Sequence, residues 1–230
     1  MYRLVSLDAG GVIVNPNWQR VASVLRAHGV EADPAALEGA EPRAKRQFDS
    51  PPTISATNDA QRGWLYFNLV LEGAGIPLSK ATDAALENLK AYHTQTNLWE
   101  AVTPGTHEAL SELRARGLLL IVTSNANGRL HALLDRLDLS AYFDAIVDSY
   151  LEGVEKPDPR LFHIAVARAG ARPEDAIHVG DLYHVDVAGA RAAGLQPLLV
   201  DAGDLYAEAD CPRIRSIAEL PAYLRGLRSR

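Results

Sequence analysis

The sequence has few of the features that assign a chain to a specialised class of protein. It contains one cysteine, Cys211, so it can form no intrachain disulfide, which fits a reducing compartment. No apolar run approaches the roughly 20 residues that span a bilayer, and no basic stretch precedes an apolar one at the start. We therefore expect a cytoplasmic protein that does not contact a membrane.

The sequence also lacks an excess of basic charge, internal repeats and low-complexity tracts. Its formal net charge is −6, whereas nucleic-acid-binding proteins usually present a basic face. We expect no nucleic-acid partner. The 230 residues are enough for one large domain, or for one domain with an insert, and we expect a monomer or a homodimer.

The sequence does contain short apolar segments that alternate with helical patterns in its second half. Strands are predicted at residues 3–8, 118–122, 145–149, 176–180 and 196–201. These segments have no period of two, which indicates a parallel sheet covered on both faces. We predict an α/β fold with a three-layer, Rossmann-like parallel sheet.

The first strand is followed by a long segment in which only helices are predicted. Their ranges are about 17–28, 34–48, 58–72 and 79–95, and the Ser50-Pro51-Pro52 stretch is predicted to be a break between two of them. We therefore predict an α/β core domain made of residues 1–14 and 99–230. Residues 15–98 are predicted to form an inserted all-helical cap domain.

Three of the predicted strands end on polar residues. Asp8 follows the first, Thr123-Ser124-Asn125 ends the second, and Asp181 follows the fourth. In an open parallel sheet, ligands bind beyond the carboxyl ends of the strands. These residues therefore mark a candidate ligand site.

The segment "GDLYHVD" holds two carboxylates, Asp181 and Asp186, on a loop that can converge with Asp8. Such an oxygen-rich set suits Mg²⁺. The alternative is that Asp186 caps the following helix and Asp181 only ends a strand. Lys156, in "GVEKPDP", is a candidate for neutralising a phosphate or a carboxylate, and its alternative is a solvated surface lysine.

Four motifs in order carry a family resemblance. They are "SLDAGGVIV", "LLLIVTSN", "GVEKPDP" and "HVGDLYHVDVAGARAAG". Together they resemble the haloacid dehalogenase-like (HAD) hydrolase superfamily, in the branch with a helical cap inserted after the first strand. The fourth motif is the specific one, whereas the first is short and altered.

The resemblance implies a role for each matching residue. Asp8 resembles the nucleophile, which takes a phosphoryl group as an aspartyl-phosphate before water releases it. Ser124 resembles the hydroxyl that binds the phosphoryl oxygens, and Asn125 belongs to the same phosphate-binding motif. Lys156 resembles the lysine that offsets negative charge on nucleophile and phosphate. The roles implied for the first three motifs together indicate hydrolysis of a small phosphorylated or otherwise anionic substrate.

The resemblance also implies a Mg²⁺ cofactor. Its ligands would be Asp8, the backbone carbonyl of Gly10 and Asp181. Asp186 would either bind the metal directly or support the groups that do. The metal would let two anions, carboxylate and phosphate, approach each other.

The first motif departs from the family pattern Asp-x-Asp-Gly-Thr. Gly10 stands where the second aspartate serves as general acid and base, and Val12 lacks the usual hydroxyl. General acid–base help is typically worth about 10²–10⁴-fold, and it matters least when the leaving group is already stable. We therefore predict a Mg²⁺-dependent phosphatase that is slow, that takes a proton from the cap or from water, or that prefers good leaving groups such as acyl or aryl phosphates.

Three alternatives to this phosphatase remain open. One is a haloacid dehalogenase, because a halide leaves without a proton. Another is a phosphonate hydrolase that forms an imine on a cap lysine, for which Lys45 is the candidate. The last is a non-catalytic HAD-fold binding or regulatory protein. The retained Asp181 and Asp186 of the fourth motif argue against the dehalogenase. Together with Asp8, Ser124 and Lys156, they also argue against a non-catalytic protein.

The predicted cap must close over the strand ends to exclude water and select the substrate. Its candidate site-facing residues are Trp18, Arg20, Arg43, Lys45, Arg46, Trp64 and Tyr66. For the two tryptophans the alternative is packing inside the cap, and for the basic residues it is a solvated helix face. His184, in the fourth motif, is a candidate proton relay or a packing residue.

Overall fold

A computed structural model describes residues 2–227, apart from the side chains of residues 59 and 60. The chain divides into two compact units. The segments that end at Asn15 and begin at Val102 form the first unit, and Pro16–Ala101 forms the second. That these units act as a core domain and a cap domain stays a prediction.

The first unit contains a parallel sheet. Between residues 2 and 227 the strands are β1 (Leu4–Leu7), β2 (Val14–Asn15), β3 (Ala101–Val102), β4 (Leu119–Ser124), β5 (Ala145–Asp148), β6 (Ala176–Gly180), β7 (Gln196–Val200) and β8 (Arg213–Ile214). Six of them form one sheet in the order β5-β4-β1-β6-β7-β8, with parallel pairing throughout. The predicted α/β fold with a parallel sheet is therefore confirmed.

The second unit is helical. Its helices are α1 (Trp18–Ala27), α2 (Pro34–Phe48), α3 (Pro51–Ala56), α4 (Asp59–Gly73) and α5 (Lys80–Gln95). Four of these helices have an N-cap side chain that accepts a hydrogen bond from a backbone N–H group: Asn17, Asp33, Asn58 and Ser79. The four predicted helices are confirmed, with ends shifted by at most one residue.

One prediction in this unit is wrong. Ser50-Pro51-Pro52 is not a plain break, because Pro51 and Pro52 occupy the first turn of α3. Proline is tolerated there, since the first N–H groups of a helix have no intrahelical partner to lose. A proline pair after a helix can therefore begin the next helix.

The helices of the first unit are α6 (Thr106–Ala115), α7 (Leu130–Arg136), α8 (Ser149–Glu152), α9 (Pro159–Arg168), α10 (Ala188–Ala192) and α11 (Leu220–Gly226). A π-helical segment, Tyr183–Val187, leads into α10. Strand β8 was also missed, because two residues with one arginine give no apolar run. No helix within the described range is both long and apolar enough to cross a membrane.

The apolar strands are covered because helices pack directly on the sheet. Leu4, Ile121 and Val147, from three neighbouring strands, form one core cluster with Leu161 and Phe162 of α9. The strands therefore read as continuous apolar runs rather than as alternating ones. This packing leaves the carboxyl ends of the strands as the edge where polar residues gather.

Candidate active site

Three neighbouring strands end on polar residues at one edge of the sheet. Asp8 follows β1, Ser124 is the last residue of β4, and Asp181 follows β6. Leu7 of β1 pairs in register with Val179 of β6, so these two strands finish at the same height. The register of the sheet therefore brings the predicted residues to one place.

Both carboxylate oxygens of Asp8 have partners. Oδ1 accepts hydrogen bonds from the Ser124 hydroxyl at 2.6 Å and from the Ala9 backbone N–H at 2.7 Å. Oδ2 lies 2.9 Å from Nζ of Lys156. The carboxylate is therefore fixed in orientation, as a nucleophile held on a rigid strand end must be.

Lys156 links two carboxylates from inside the protein. Its side chain is only 1% exposed, and Nζ lies 2.7 Å from Oδ1 of Asp186 as well as 2.9 Å from Asp8. Burial by itself lowers the pKa of Lys156, but Asp186 and Asp8 outweigh burial and raise that pKa above its ordinary value. Lys156 is therefore a permanent positive charge at the site, not a solvated surface lysine.

Asn125 holds the backbone of Lys156. Its Nδ2 donates to the Lys156 carbonyl at 3.1 Å, and its Oδ1 accepts from the Lys156 N–H at 2.7 Å. Both ends of the amide are therefore occupied in fixing the loop that carries the lysine. The phosphate-binding role of Asn125 stays a prediction.

Asp186 is buried and hydrogen-bonded through both oxygens. Oδ2 accepts from the Leu182 N–H at 3.0 Å, and Oδ1 lies 3.2 Å from Nε2 of His178. Burial raises the pKa of Asp186, but Lys156 and the His178 hydrogen bond outweigh it, so the pKa falls below its ordinary value. A side chain on Gly180 would overlap Asp186, which explains the glycine before the fourth motif's first aspartate.

Three carboxylates converge at this edge. Asp8, Asp181 and Asp186 each offer an oxygen, and the three oxygens lie within 4.8 Å of one another. Lys156 bridges two of the three, Asp8 and Asp186. Carboxylate oxygens so arranged are the donors that a hard divalent cation such as Mg²⁺ prefers, so the residues present fit that ion.

The turn after Asp8 is held by its own backbone. The Gly11 N–H donates to the Val14 carbonyl at 2.8 Å, and Gly11 has φ of 72°, a conformation that glycine adopts without strain. Val12 is fully buried, so the position where a hydroxyl was expected lies in the core. The Gly10 carbonyl as a metal ligand stays a prediction.

A family model described as haloacid dehalogenase-like hydrolase matches residues 2–194, which cover both units and all four motifs. The chain belongs to the HAD-like hydrolases. The resemblance noted in the sequence is therefore confirmed.

This HAD hydrolase is similar to three proteins of known name or structure. Human haloacid dehalogenase-like hydrolase domain-containing protein 3 is 34% identical over 86% of this chain and 81% of its own. Glyceraldehyde 3-phosphate phosphatase of Methanopyrus kandleri is 34% identical over 60% of this chain and 59% of its own. The structure of L-2-haloacid dehalogenase from Xanthobacter autotrophicus, 17% identical, matches with a TM-score of 0.64 over 99% of this chain and 100% of that one. The last likeness shows the fold alone.

Sequence reasoning missed a set of buried polar residues in the sheet of this HAD hydrolase. Oγ of Ser6 lies 2.9 Å from Oγ1 of Thr123 and 2.9 Å from Nδ1 of His178. His178 is 1% exposed, and burial lowers its pKa despite the neighbouring Asp186. The signal in the sequence was a serine and a histidine inside strands that are otherwise apolar.

A second missed residue is Asp148, at the end of β5. Its carboxylate accepts from the backbone N–H groups of Gly128, Leu130 and Tyr150 at 3.0–3.2 Å. The first two of these groups lie in and after the loop that follows Ser124. Asp148 therefore shapes the loop next to the predicted phosphate-binding hydroxyl.

Two of the candidate substrate-selecting residues, Trp18 and Lys45, contact other residues of the second unit. Trp18 is buried against the rings of Tyr66 and Phe67. Lys45 lies 2.7 Å from Oε1 of the buried Glu41, which also accepts from the Tyr66 hydroxyl at 2.9 Å. Packing inside the unit therefore accounts for Trp18, and an ion pair accounts for Lys45.

Proposed function

We propose that this HAD hydrolase is a Mg²⁺-dependent phosphatase that acts on a small phosphorylated metabolite through an aspartyl-phosphate on Asp8. The observation that carries the proposal is the convergence of three carboxylates within 4.8 Å beside Lys156. A phosphate anion can approach a carboxylate only where added positive charge offsets their repulsion. The displacement of a halide from a neutral carbon has no such requirement. The phosphatase name of the Methanopyrus kandleri relative agrees with this choice.

The proposed metal ligands are Asp8, Asp181, Asp186 and the carbonyl of Gly10. When bound, Mg²⁺ supplies positive charge that neutralises the phosphate and the charge developing on the transferring phosphoryl group. Lys156, whose Nζ lies 2.9 Å from Oδ2 of Asp8, adds a second positive charge and keeps it at every ordinary pH.

In the first chemical step, a carboxylate oxygen of Asp8 attacks phosphorus while the bond from phosphorus to the leaving oxygen breaks. The Ser124 hydroxyl, 2.6 Å from Asp8 Oδ1, is placed to donate to a phosphoryl oxygen as the new bond forms. The product is an aspartyl-phosphate and a departing alkoxide or carboxylate. Holding the nucleophile in one orientation lowers the entropic part of the barrier.

In the second step, water attacks the phosphorus of the aspartyl-phosphate, and the bond to the Asp8 oxygen breaks. Inorganic phosphate leaves, and the Asp8 carboxylate is restored. The attacking water must lose a proton, and phosphate itself is able to take it. The cycle therefore closes without any change in Lys156, whose raised pKa keeps it protonated.

The first step sets the preferred substrates. An alkoxide leaving group needs a proton as it departs, and Gly10 has no side chain to give one. Acyl and aryl phosphates have leaving groups that are stable as anions, so they need this help least. We therefore expect the chain to favour such activated phosphates.

The two other enzyme classes have less support. Imine formation on Lys45 requires a free amine, whereas Lys45 forms an ion pair with the buried Glu41 at 2.7 Å. The likeness to a dehalogenase structure extends to the fold and not to the chemistry. Halide displacement uses no metal, so Asp181 and Asp186 would hold no metal in a dehalogenase.

The decisive experiment is a substrate screen with p-nitrophenyl phosphate, acetyl phosphate, alkyl phosphates, phosphonoacetaldehyde and haloacids, in Mg²⁺ and in EDTA. Asp8→Asn is expected to lower kcat at least about a thousandfold, because it removes the nucleophilic oxygen. Asp138→Asn is the control, since Asp138 is exposed and has φ of 56°, which asparagine also tolerates. Turnover that survives both EDTA and Asp8→Asn rejects the proposal, and a blank screen favours a binding protein.

A second variant tests the missing acid. Gly10→Asp is expected to raise kcat/KM for alkyl phosphates by up to about 10²-fold, and to raise it less for aryl phosphates. Gly10→Asn is the matched control, because it has the same size and cannot donate a proton as an acid. Equal gains for both variants, or for both substrate classes, would show that proton donation is not the limiting defect.

A further inference from the structure

Two polar side chains, Ser6 and His178, lie inside the sheet, on the face that carries an apolar core cluster. Leu4 and Ala176 belong to the core cluster that contacts α9 and α10. Ser6 and His178 lie two residues further along the same strands, so they point to the same face, and they pair with each other in register. Both are buried. An apolar pair at these positions would extend the core, so the polar pair needs a reason.

The hydrogen-bond partners fix the direction of each bond. Asp186 is ionised beside Lys156 and can only accept, so Nε2 of His178 must carry the proton and donate it. Nδ1 of the neutral ring then accepts from the Ser6 hydroxyl. Ser6 in turn accepts from Thr123. The direction of each hydrogen bond therefore follows from whether its partner can donate or only accept.

The result is a directed chain of hydrogen bonds that crosses three central strands. It begins on Thr123 of β4, passes through Ser6 of β1 and His178 of β6, and ends on Oδ1 of Asp186. That same oxygen holds Nζ of Lys156 at 2.7 Å. The chain therefore ends on the atom that orients the positive charge of the site.

We infer that His178, held in one tautomer by Ser6, is a positioning residue that fixes the Asp186 carboxylate against both Lys156 and the proposed metal. This inference rests on the proposed function. A carboxylate has one soft torsion, and each donor to it removes part of that freedom. The Leu182 N–H restrains Oδ2 and His178 restrains Oδ1, so Asp186 has one orientation. Phe162 packs edge-on to the His178 ring, with centroids 4.8 Å apart, and restrains that ring.

A purely structural role predicts a different outcome from a positioning role. Two variants separate them, because each removes one of the two hydrogen bonds of the ring. His178→Gln places an amide near the position of Nε2 and keeps a donor to Asp186. His178→Asn places its amide near the position of Nδ1, which keeps the contact with Ser6 and loses the one with Asp186.

The experiment measures three quantities on the full chain: Mg²⁺ affinity by calorimetry, kcat and KM for an aryl phosphate, and unfolding in urea with EDTA. We expect His178→Asn to weaken Mg²⁺ binding and lower kcat by about tenfold to a hundredfold, with KM changed little. His178→Gln should retain most of both. Equal losses in the two variants, in proportion to equal losses of stability, would overturn the inference.

A matched control and a direct measurement complete the test. His163→Asn and His163→Gln should change neither the Mg²⁺ affinity nor kcat, because His163 is exposed on α9 and contacts the Ala193 carbonyl. Nitrogen NMR of the wild-type protein should show His178 as the neutral tautomer protonated on Nε2. A ring protonated on Nδ1 contradicts the chain, whatever the activity. If the wild type binds no Mg²⁺ and hydrolyses no phosphate, the proposed function fails, and the tautomer still decides whether the chain exists as assigned.

Discussion

The sheet carries two groups of aspartates near its carboxyl edge, and they differ in what they bind. The central aspartates, Asp8, Asp181 and Asp186, follow β1 and β6 in the middle of the sheet. The flanking aspartates, Asp148 and Asp201, end β5 and follow β7. All five are buried, so burial alone does not separate them.

The flanking aspartates accept hydrogen bonds mainly from the backbone of neighbouring loops. Asp201 accepts from the N–H groups of Leu205 and Tyr206 at 2.8 and 3.0 Å, and its third partner is Arg213. Asp148 accepts from three backbone N–H groups. The flanking aspartates therefore fix the conformation of loops.

The central aspartates have side-chain partners that come from distant parts of the chain. Asp8 binds Ser124 and Lys156, and Asp186 binds Lys156 and His178. The oxygens of the three central carboxylates lie within 4.8 Å of one another, and Lys156 bridges two of them. The convergence of several carboxylates around a buried lysine, rather than the presence of an aspartate at a strand end, marks the candidate site.

The largest expected effect comes from removing the cation at the centre. Lys156→Met leaves Asp8 and Asp186 without their shared partner, and we expect a loss of about 3–5 kcal/mol in the free energy of unfolding in EDTA. Because the variant has more uncompensated negative charge, saturating Mg²⁺ should stabilise it more than it stabilises the wild type. Urea unfolding in EDTA and in Mg²⁺ measures both effects.

The control for this variant is Lys80→Met, at an exposed position in the first turn of α5. It should change the free energy of unfolding by less than about 0.5 kcal/mol, with or without Mg²⁺. If Mg²⁺ stabilises Lys156→Met no more than the wild type, the central aspartates do not hold the ion.

Most of the fold could be predicted from the sequence because its strands are strongly apolar. The segments at 118–122 and 176–180 have no other plausible place than a buried sheet, and the structure has β4 and β6 there. Strand β8 and helix α3 were missed for local reasons. Two residues give no pattern, and a proline pair is typical of a break as well as of a helix start.

The candidate site was predictable as far as single motifs could carry it. Asp8, Ser124, Lys156 and Asp186 each stood in a motif, and the structure brings them together. The contact between Ser6 and His178 was not predictable, because it depends on the register of two strands that lie far apart in the chain. A buried polar residue in an apolar strand is the signal to look for, and register gives its partner.

The next effect tests the central group by volume rather than by charge. Gly180→Ala puts a side chain where the Asp186 side chain lies, so Asp186 must move. We expect a loss of about 1–3 kcal/mol in the free energy of unfolding, together with weaker Mg²⁺ binding. Gly63→Ala, in helix α4 with open space around it, should instead raise stability by about 0.5–1 kcal/mol. Unchanged Mg²⁺ binding in Gly180→Ala would separate Asp186 from the metal.

The smallest expected effect comes from the flanking aspartates, where a substitution should lower stability without changing activity. Asp201→Asn removes a charge that the backbone of the next loop and Arg213 both bind, and we expect a loss of about 2 kcal/mol at pH 7 with unchanged kcat. Asp204→Asn, at an exposed neighbour that also binds Arg213, should cost much less. A large fall in kcat for Asp201→Asn would erase the distinction between the two groups.

The loss in Asp201→Asn should also depend on pH in a defined direction. Burial raises the pKa of Asp201, but its backbone hydrogen bonds and Arg213 outweigh burial and lower that pKa below the ordinary value of 3.8. The carboxylate therefore stabilises the fold above about pH 3.8, and this contribution disappears as the pH falls through the lowered pKa. Urea unfolding of the two proteins should show a constant difference from pH 8 to 5 and a narrowing one below pH 4. A difference that stays constant into acid would assign the loss to shape rather than to charge.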